Sequence, residues 1–255
     1  MTNAIILSAG QGRRLSPLTD ARPKCLVVVG GRTILEWQLH ALAAAGVRAA
    51  TVVTGFGAAA VEAALRTFAV DIRVETLFNP FFSVSDNTGS CWLARDLATE
   101  DSLLLNGDTL FDADVPRRLL REAGEGVSVT VDVKDRYDAD DMKVRFSGDR
   151  LSAIGKRLTG PVDGESIGML RFRGAGGARF RAALAEALAD PARLSTWYLS
   201  IIDDMARTEN GVGVVRLRGE RWCEVDFPAD IPVAEATVAG FGPARAADAA
   251  RRARA

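Results

Sequence analysis

An apolar run, Ala4-Ile5-Ile6-Leu7-Ser8-Ala9, stops at the turn Gly10-Gln11-Gly12, and the cations Arg13, Arg14 and Lys24 follow it. A short, continuous apolar stretch bounded by glycine reads as a strand buried on both faces of a parallel sheet. Parallel neighbours need crossover connections, so such a strand calls for helices between it and its partners. The glycines let backbone N–H groups approach a polyphosphate, and the three cations bring charge to the same place. The end of the first strand therefore reads as an anion site.

The next hundred residues supply the alternation. Thr33 opens a helix with Glu36 three residues later, Ile34, Leu35, Leu39 and Leu42 give it one apolar face, and Gly46 ends it. Strand Ala50–Val53, helix Ala58–Arg66, strand Val70–Val74, helix Ser90–Ala98 and strand Ser102–Leu105 continue the pattern. After a helix at Pro116–Glu122 it changes to strands Val127–Val133, Lys143–Phe146, Leu151–Gly155 and Ile167–Phe172, separated by turns, which reads as mixed or antiparallel. Helices at Ala178–Ala189 and Tyr198–Thr208, strands Val212–Leu217 and Trp222–Val225, and a helix from Ala229 complete it. The fold class expected is α/β: a single Rossmann-like domain over residues 1–242, with a central mixed, mostly parallel β-sheet flanked by helices. Residues 243–255 read as an Ala/Arg-rich tail.

Bulk composition excludes several functions. A net charge of −1 with 25% charged residues gives no footprint for nucleic acid, and no apolar run nears the roughly 20 residues of a membrane span. The N-terminus lacks a basic, secretory start, so a cytoplasmic protein is expected, and an oligomer is compatible with this composition. Three distant cysteines read as reduced thiols. The single histidine, His40, falls one turn after Glu36 in a helix, far in sequence from any carboxylate cluster, which argues against an imidazole catalyst.

Two familiar glycine motifs fail. A dinucleotide fingerprint needs a third small residue where Leu15 stands and an acidic residue after the second strand, which ends instead in Thr54-Gly55. A Walker loop needs Gly-Lys-Ser/Thr, which is missing. What remains is the composite Gly10-x-Gly12-x-Arg14-Leu15-x-Pro17-x-Thr19 with Arg22-Pro23-Lys24. It resembles the signature of the sugar-nucleotidyltransferase-like enzymes, and most of all the bacterial phosphocholine and phosphonate cytidylyltransferases; Arg13 departs from the Ser or Thr that many members carry.

The resemblance implies the nucleotide-diphospho-sugar transferase fold and a set of roles. Arg14 would grip the β- and γ-phosphates and Lys24 would neutralise charge at the α-phosphate and the departing pyrophosphate. Leu7, Ala9, Gly10, Gly12, Arg13 and Gly107 would belong to the nucleotide site. Asp108, at the end of Leu103-Leu104-Leu105-Asn106-Gly107-Asp108, and Asp226, in Trp222-Cys223-Glu224-Val225-Asp226, would hold Mg2+. Asn87 and Ser90 stand where relatives read the base, and their spacing favours CTP; capping of the following helix is the alternative for both. Lys156, Glu165, Tyr198, Asp203 and Trp222, with Trp197, occupy stretches that resemble the acceptor site, where aromatic faces and a carboxylate would suit a cationic head group. Asp135, Asp138, Asp140 and Asp141 lack EF-hand spacing and read as a solvated acidic loop, with Lys143 beside it.

The expected reaction joins CMP from CTP to phosphocholine or a related phospho-amino-alcohol or phosphonate, releasing pyrophosphate. The partners are thus a nucleoside triphosphate and a small phosphorylated acceptor. Sugar-1-phosphate or inositol-phosphate nucleotidyl transfer is the alternative within the class. A non-catalytic nucleotide-sensing domain is the alternative outside it.

Overall fold

The computed structural model describes residues 2–242, so the Ala/Arg-rich tail lies outside the described residues. The apolar run forms β1 (Asn3–Ser8), and Val28–Val29 (β2) pairs with Arg32–Thr33 (β3) in a small hairpin. Helix α1 (Ile34–Ala44) starts where the cap signal places it: Thr33 Oγ1 accepts the Glu36 N–H at 3.2 Å. Next come β4 (Ala49–Thr54), α2 (Ala58–Leu65) and β5 (Arg73–Phe78). β5 begins at Arg73, not at Val70, because the parallel register with β4 runs from Ala49↔Arg73 to Thr54↔Phe78. The alternation of Val70, Ile72 and Val74 suits more than one frame, and tertiary pairing selects the later one.

Helix α3 (Asn87–Leu93) starts three residues ahead of the predicted Ser90, since Asp86 is its cap and accepts the Asn87 N–H at 2.6 Å. Beyond it lie β6 (Asp101–Asn106), β7 (Thr109–Phe111), α4 (Asp114–Glu122), β8 (Gly126–Asp132), β9 (Lys143–Ser147), β10 (Arg150–Ile154) and β11 (Gly164–Arg173). The chain closes with α5 (Gly176–Ala187), α6 (Leu199–Ala206), β12 (Gly213–Arg216), β13 (Trp222–Glu224) and α7 (Ile231–Ala239). Among the described residues no helix is long and apolar enough to cross a membrane.

Two compact units interleave along the chain. The first takes residues up to Ser83, Asn106–Arg117 and residues from Glu220; the second takes Val84–Leu105 and Arg118–Gly219. In the first, β4 lies between β1 and β5 with both pairings parallel, and α1 and α2 make the crossovers the alternation requires. Leu15, Val27, Val29, Ile34, Leu110, Val225, Ala234 and Val238 form one buried cluster there. Each fully buried aliphatic side chain contributes roughly 1.5–3 kcal/mol. Leu110 and Val225 thereby anchor the backbone beside Asp108 and Asp226.

The second unit follows the mixed or antiparallel pattern expected beyond Glu122, so the mostly parallel character expected of the sheet does not extend to it. β11 pairs antiparallel with β6, β8 and β9, β10 pairs antiparallel with β9 and β12, and only β8–β12 is parallel. Strands β11, β8, β12, β10 and β9 therefore close on themselves as a ring. The reason is connection length: turns such as Ser147-Gly148-Asp149 leave no room for a crossover helix, so neighbours must run antiparallel.

Candidate active site

The first unit gathers four of the sequence-predicted residues. β7 and β13 pair antiparallel, with Trp222↔Phe111, Cys223↔Leu110 and Glu224↔Thr109, and Val225 N donates to Asp108 O at 3.3 Å. Asp108 precedes one strand and Asp226 follows the other, so this ribbon delivers both carboxylates to the same end. Lys24 Nζ lies between them, 2.8 Å from Asp108 Oδ2 and in a short ion pair with Asp226 Oδ1. Arg14 Nη2 donates to the other oxygen, Asp226 Oδ2, at 2.8 Å. Burial disfavours charge on Lys24, but the two carboxylates outweigh it and hold the ammonium above its ordinary range.

The glycine turn is shaped around this lysine. Gly12 has φ 77°, and a Cβ there would come within 2.7 Å of Lys24 Cβ, so glycine alone lets the loop pass the lysine stem. Buried Thr19 donates from Oγ1 to Gly12 O at 2.7 Å and closes the loop, a reason for the threonine in the motif that spacing does not disclose. Gly107 N donates to Leu7 O at 3.0 Å, and a Cβ on Gly107 would strike Leu7 O and Ser8 Oγ. Ala9 O accepts from Phe56 N, whereas the space at a Gly10 Cβ is open. Arg13 is exposed and reaches Gln11 Oε1 at 3.5 Å.

Gln38 is a supporting residue that motif reading misses. It is buried on α1 and donates from Nε2 to Asn106 O at 2.8 Å and Thr109 O at 2.9 Å, clamping the turn that carries Gly107 and Asp108. The available signal was its position: Gln38 stands on the apolar face, three residues after Leu35 and four before Leu42.

In the second unit, neither Asn87 nor Ser90 caps α3. Asn87 Oδ1 accepts from Tyr198 N at 2.8 Å, Thr88 Oγ1 donates to Thr196 O at 2.6 Å, and Ser90 is buried within the helix. These bonds tie the 196–198 segment to the start of α3. The aromatic residues expected at the acceptor site differ in exposure. Tyr198 is wholly buried with its hydroxyl toward Gly168 O, so its ring presents no face to a ligand. Asp203 accepts from Ile154 N at 2.9 Å and pairs with Arg207, which makes it a brace between α6 and β10. Trp222 belongs to the first unit, on β13.

Trp197 keeps an exposed ring at 42%, with Lys156 Nζ 4.7 Å from its centroid. Together with Asp86, Met142, Ile154, Leu199 and Ser200 it lines a cavity of about 320 Å³. Glu165 is buried and paired with Lys134 at 2.8 Å; burial pushes its carboxyl up to about 7, which the lysine only partly opposes. Lys134 also holds Asp141 at 3.0 Å, whereas Lys143 donates to the Asp138 and Lys156 carbonyls, so Lys134 and not Lys143 pairs with this part of the acidic loop.

A glycine turn on a parallel strand, backed by two cations and two converging carboxylates, is a constellation for handling a nucleoside polyphosphate. The chain belongs to the MobA-like NTP transferase domain family, whose model matches residues 4–195. It is 30% identical over 238 residues to a CMP-5'-(3-aminopropyl)phosphonate synthase of Streptomyces rubellomurinus; the match covers 89% of this chain and 37% of that protein. It is 24% identical to a CTP:phosphoglutamine cytidylyltransferase of Campylobacter jejuni, over 91% of this chain and 98% of the relative. The fold matches the inositol-1-phosphate CTP transferase of T. maritima with a TM-score of 0.77 at 20% identity, covering 94% of this chain and 97% of the other.

Proposed function

We propose that the chain is a CTP-dependent cytidylyltransferase that joins CMP to a phosphorylated amino-alcohol or a related aminophosphonate. The observation that carries this reading is the convergence of Lys24 on Asp108 and Asp226, with Arg14 on the remaining oxygen of Asp226. An acceptor phosphate oxygen attacks the α-phosphorus, the bond to the β-phosphate oxygen breaks, and pyrophosphate leaves with that electron pair. A phosphate monoester is largely dianionic at neutral pH, so no side chain has to remove a proton from it. What the chain must supply is positioning and relief of negative charge.

In this reading Arg14 grips the β- and γ-phosphates, and Lys24, a compact point charge, answers the charge that builds at the α-phosphate. The backbone around Leu7, Ala9, Gly10, Gly12, Arg13 and Gly107 cradles the triphosphate, and the role proposed for Asn87 and Ser90 is recognition of the base. Asp108 and Asp226 are the residues that would hold Mg2+. The residues fit such an ion: Asp108 Oδ1 is buried without a hydrogen-bond partner, and the two carboxylates already converge on one cation. Magnesium keeps several waters and needs few protein oxygens. When bound it supplies Lewis-acid relief of phosphate charge.

For the acceptor, support comes from the cavity beside Trp197 and from the amine-bearing compounds in the two relatives' names. Asp86 offers a carboxylate there for an ammonium group. Lys156 already sits over the Trp197 ring, which favours a primary amine over a bulky trimethylammonium that needs that face. The same cation suits the hydroxyls of a sugar-1-phosphate or inositol phosphate, the second reading. A pyrophosphate-release screen crossing four nucleoside triphosphates with phosphocholine, phosphoethanolamine, aminoethylphosphonate, hexose-1-phosphates and inositol phosphate tests both. Release with CTP and an amine-bearing acceptor is the expected result. Tight CTP binding with no release from any pair would replace the enzyme with a nucleotide sensor.

A further inference from the structure

The Arg14 guanidinium meets two adjacent residues in different ways. Asp226 binds its edge through Nη2 at 2.8 Å, while Phe227 lies with its ring centroid 4.9 Å from Arg14 Cζ. The edge and the ring contact have different fates when ligands arrive. A triphosphate needs the in-plane N–H donors, and any cation held by Asp226 competes for the same carboxylate, so the ion pair must give way. A contact between the guanidinium and a ring leaves in-plane donors available.

The ring is itself held in place. Asp230 Oδ2 accepts from both Asp226 N and Phe227 N at 2.7 Å, and Asp230 N donates back to Phe227 O at 2.9 Å. This closed turn accounts for a large aromatic that remains 40% exposed while its backbone is fixed. Once its ion pair with Asp226 opens, Arg14, whose side chain is 48% exposed, would otherwise sample many rotamers.

We infer that Phe227 is a positioning residue that keeps Arg14 aimed at the triphosphate after the Arg14–Asp226 ion pair opens. The inference rests on the proposed role of Arg14 in nucleotide binding.

A double-mutant cycle on CTP binding, read by calorimetry without added metal and again as KM, separates the two. Phe227→Ala should weaken CTP about two- to fivefold, the range of an exposed cation–π contact, with kcat changed less than KM. Phe227→Tyr should restore affinity and Phe227→Leu should not, while melting temperatures stay close to wild type. In the Arg14→Ala background, Phe227→Ala should have no further effect. Full effect of Phe227→Ala in that background, or rescue by leucine, overturns the inference and leaves Arg14 in its role. Unchanged CTP affinity in Arg14→Ala alone overturns the underlying reading instead.

Discussion

Lys24 Nζ donates to Asp108 Oδ2 at 2.8 Å although the two residues stand 84 positions apart, and its other partner, Asp226, is 202 positions away. Its side chain is only 13% exposed, so the ammonium exchanges most of its water for two carboxylates. A buried cation of this kind draws its stability from its charged partners. In the proposed reaction its attachment to them is exchanged for attachment to phosphate.

Removing either carboxylate should therefore be severe for turnover. Asp108→Asn and Asp226→Asn are each expected to lower kcat by roughly a hundredfold or more, with circular dichroism unchanged. Magnesium titrations of the two variants check the metal assignment. A wild-type rate and magnesium dependence in either would remove that residue from the site.

Lys24→Ala separates transition-state from ground-state action. If the lysine answers charge developing at the α-phosphate, kcat should fall by more than KM for CTP rises. Steady-state kinetics with the acceptor saturating gives both numbers. A rise in KM alone would make Lys24 an anchor for bound nucleotide.

Gln38→Leu keeps the side-chain volume but strands the Asn106 and Thr109 carbonyls. A loss of about 1–3 kcal/mol is expected from one buried and one part-buried acceptor left without Gln38. In a thermal melt that corresponds to a fall of several degrees. Activity at a temperature where the variant is fully folded should also drop, because the loosened turn carries Gly107 and Asp108.

Glu165 carries a pH signature. Its carboxyl is raised from 4.5 to about 7 by burial, so the folded state binds a proton that the unfolded state has released between those values. Its contribution to stability is full below about pH 4.5 and is lost as pH rises through about 7. Melting curves across that window should show wild type losing stability relative to Glu165→Gln as pH increases. Parallel curves would mean that Lys134 holds the carboxylate ionised throughout.

The cavity predicts selective effects at the acceptor. Trp197→Ala should weaken the acceptor and leave CTP affinity nearly unchanged, as acceptor titrations at saturating CTP would reveal. Asp203→Asn should instead lower the melting temperature, since its carboxylate braces Ile154 N and Arg207. A selective loss of acceptor binding in Asp203→Asn would return that residue to the acceptor site.

Which parts of this molecule were legible beforehand follows the range of the interactions involved. The strand before Gly10, the Thr33 cap of α1 and the loop from Gly10 to Lys24 are written locally, in residues a few positions apart whose backbone preferences act without outside help. The composite loop also named Arg14, Lys24, Asp108 and Asp226 as a set through family likeness. Their meeting is a tertiary event: it depends on the β7–β13 ribbon, and Thr109–Phe111 is too short for any periodicity to announce it. The acceptor side was least legible. Whether Tyr198 shows a ring to a ligand or buries it, and whether Asp203 faces solvent or a backbone N–H, is settled by the bonds Asn87 and Ile154 make to them across long stretches of chain. By itself the sequence determined the local elements and the chemical types available at the site. Only the tertiary structure decided which of those side chains packing and hydrogen bonding leave exposed for chemistry, because burial depends on neighbours remote in the chain.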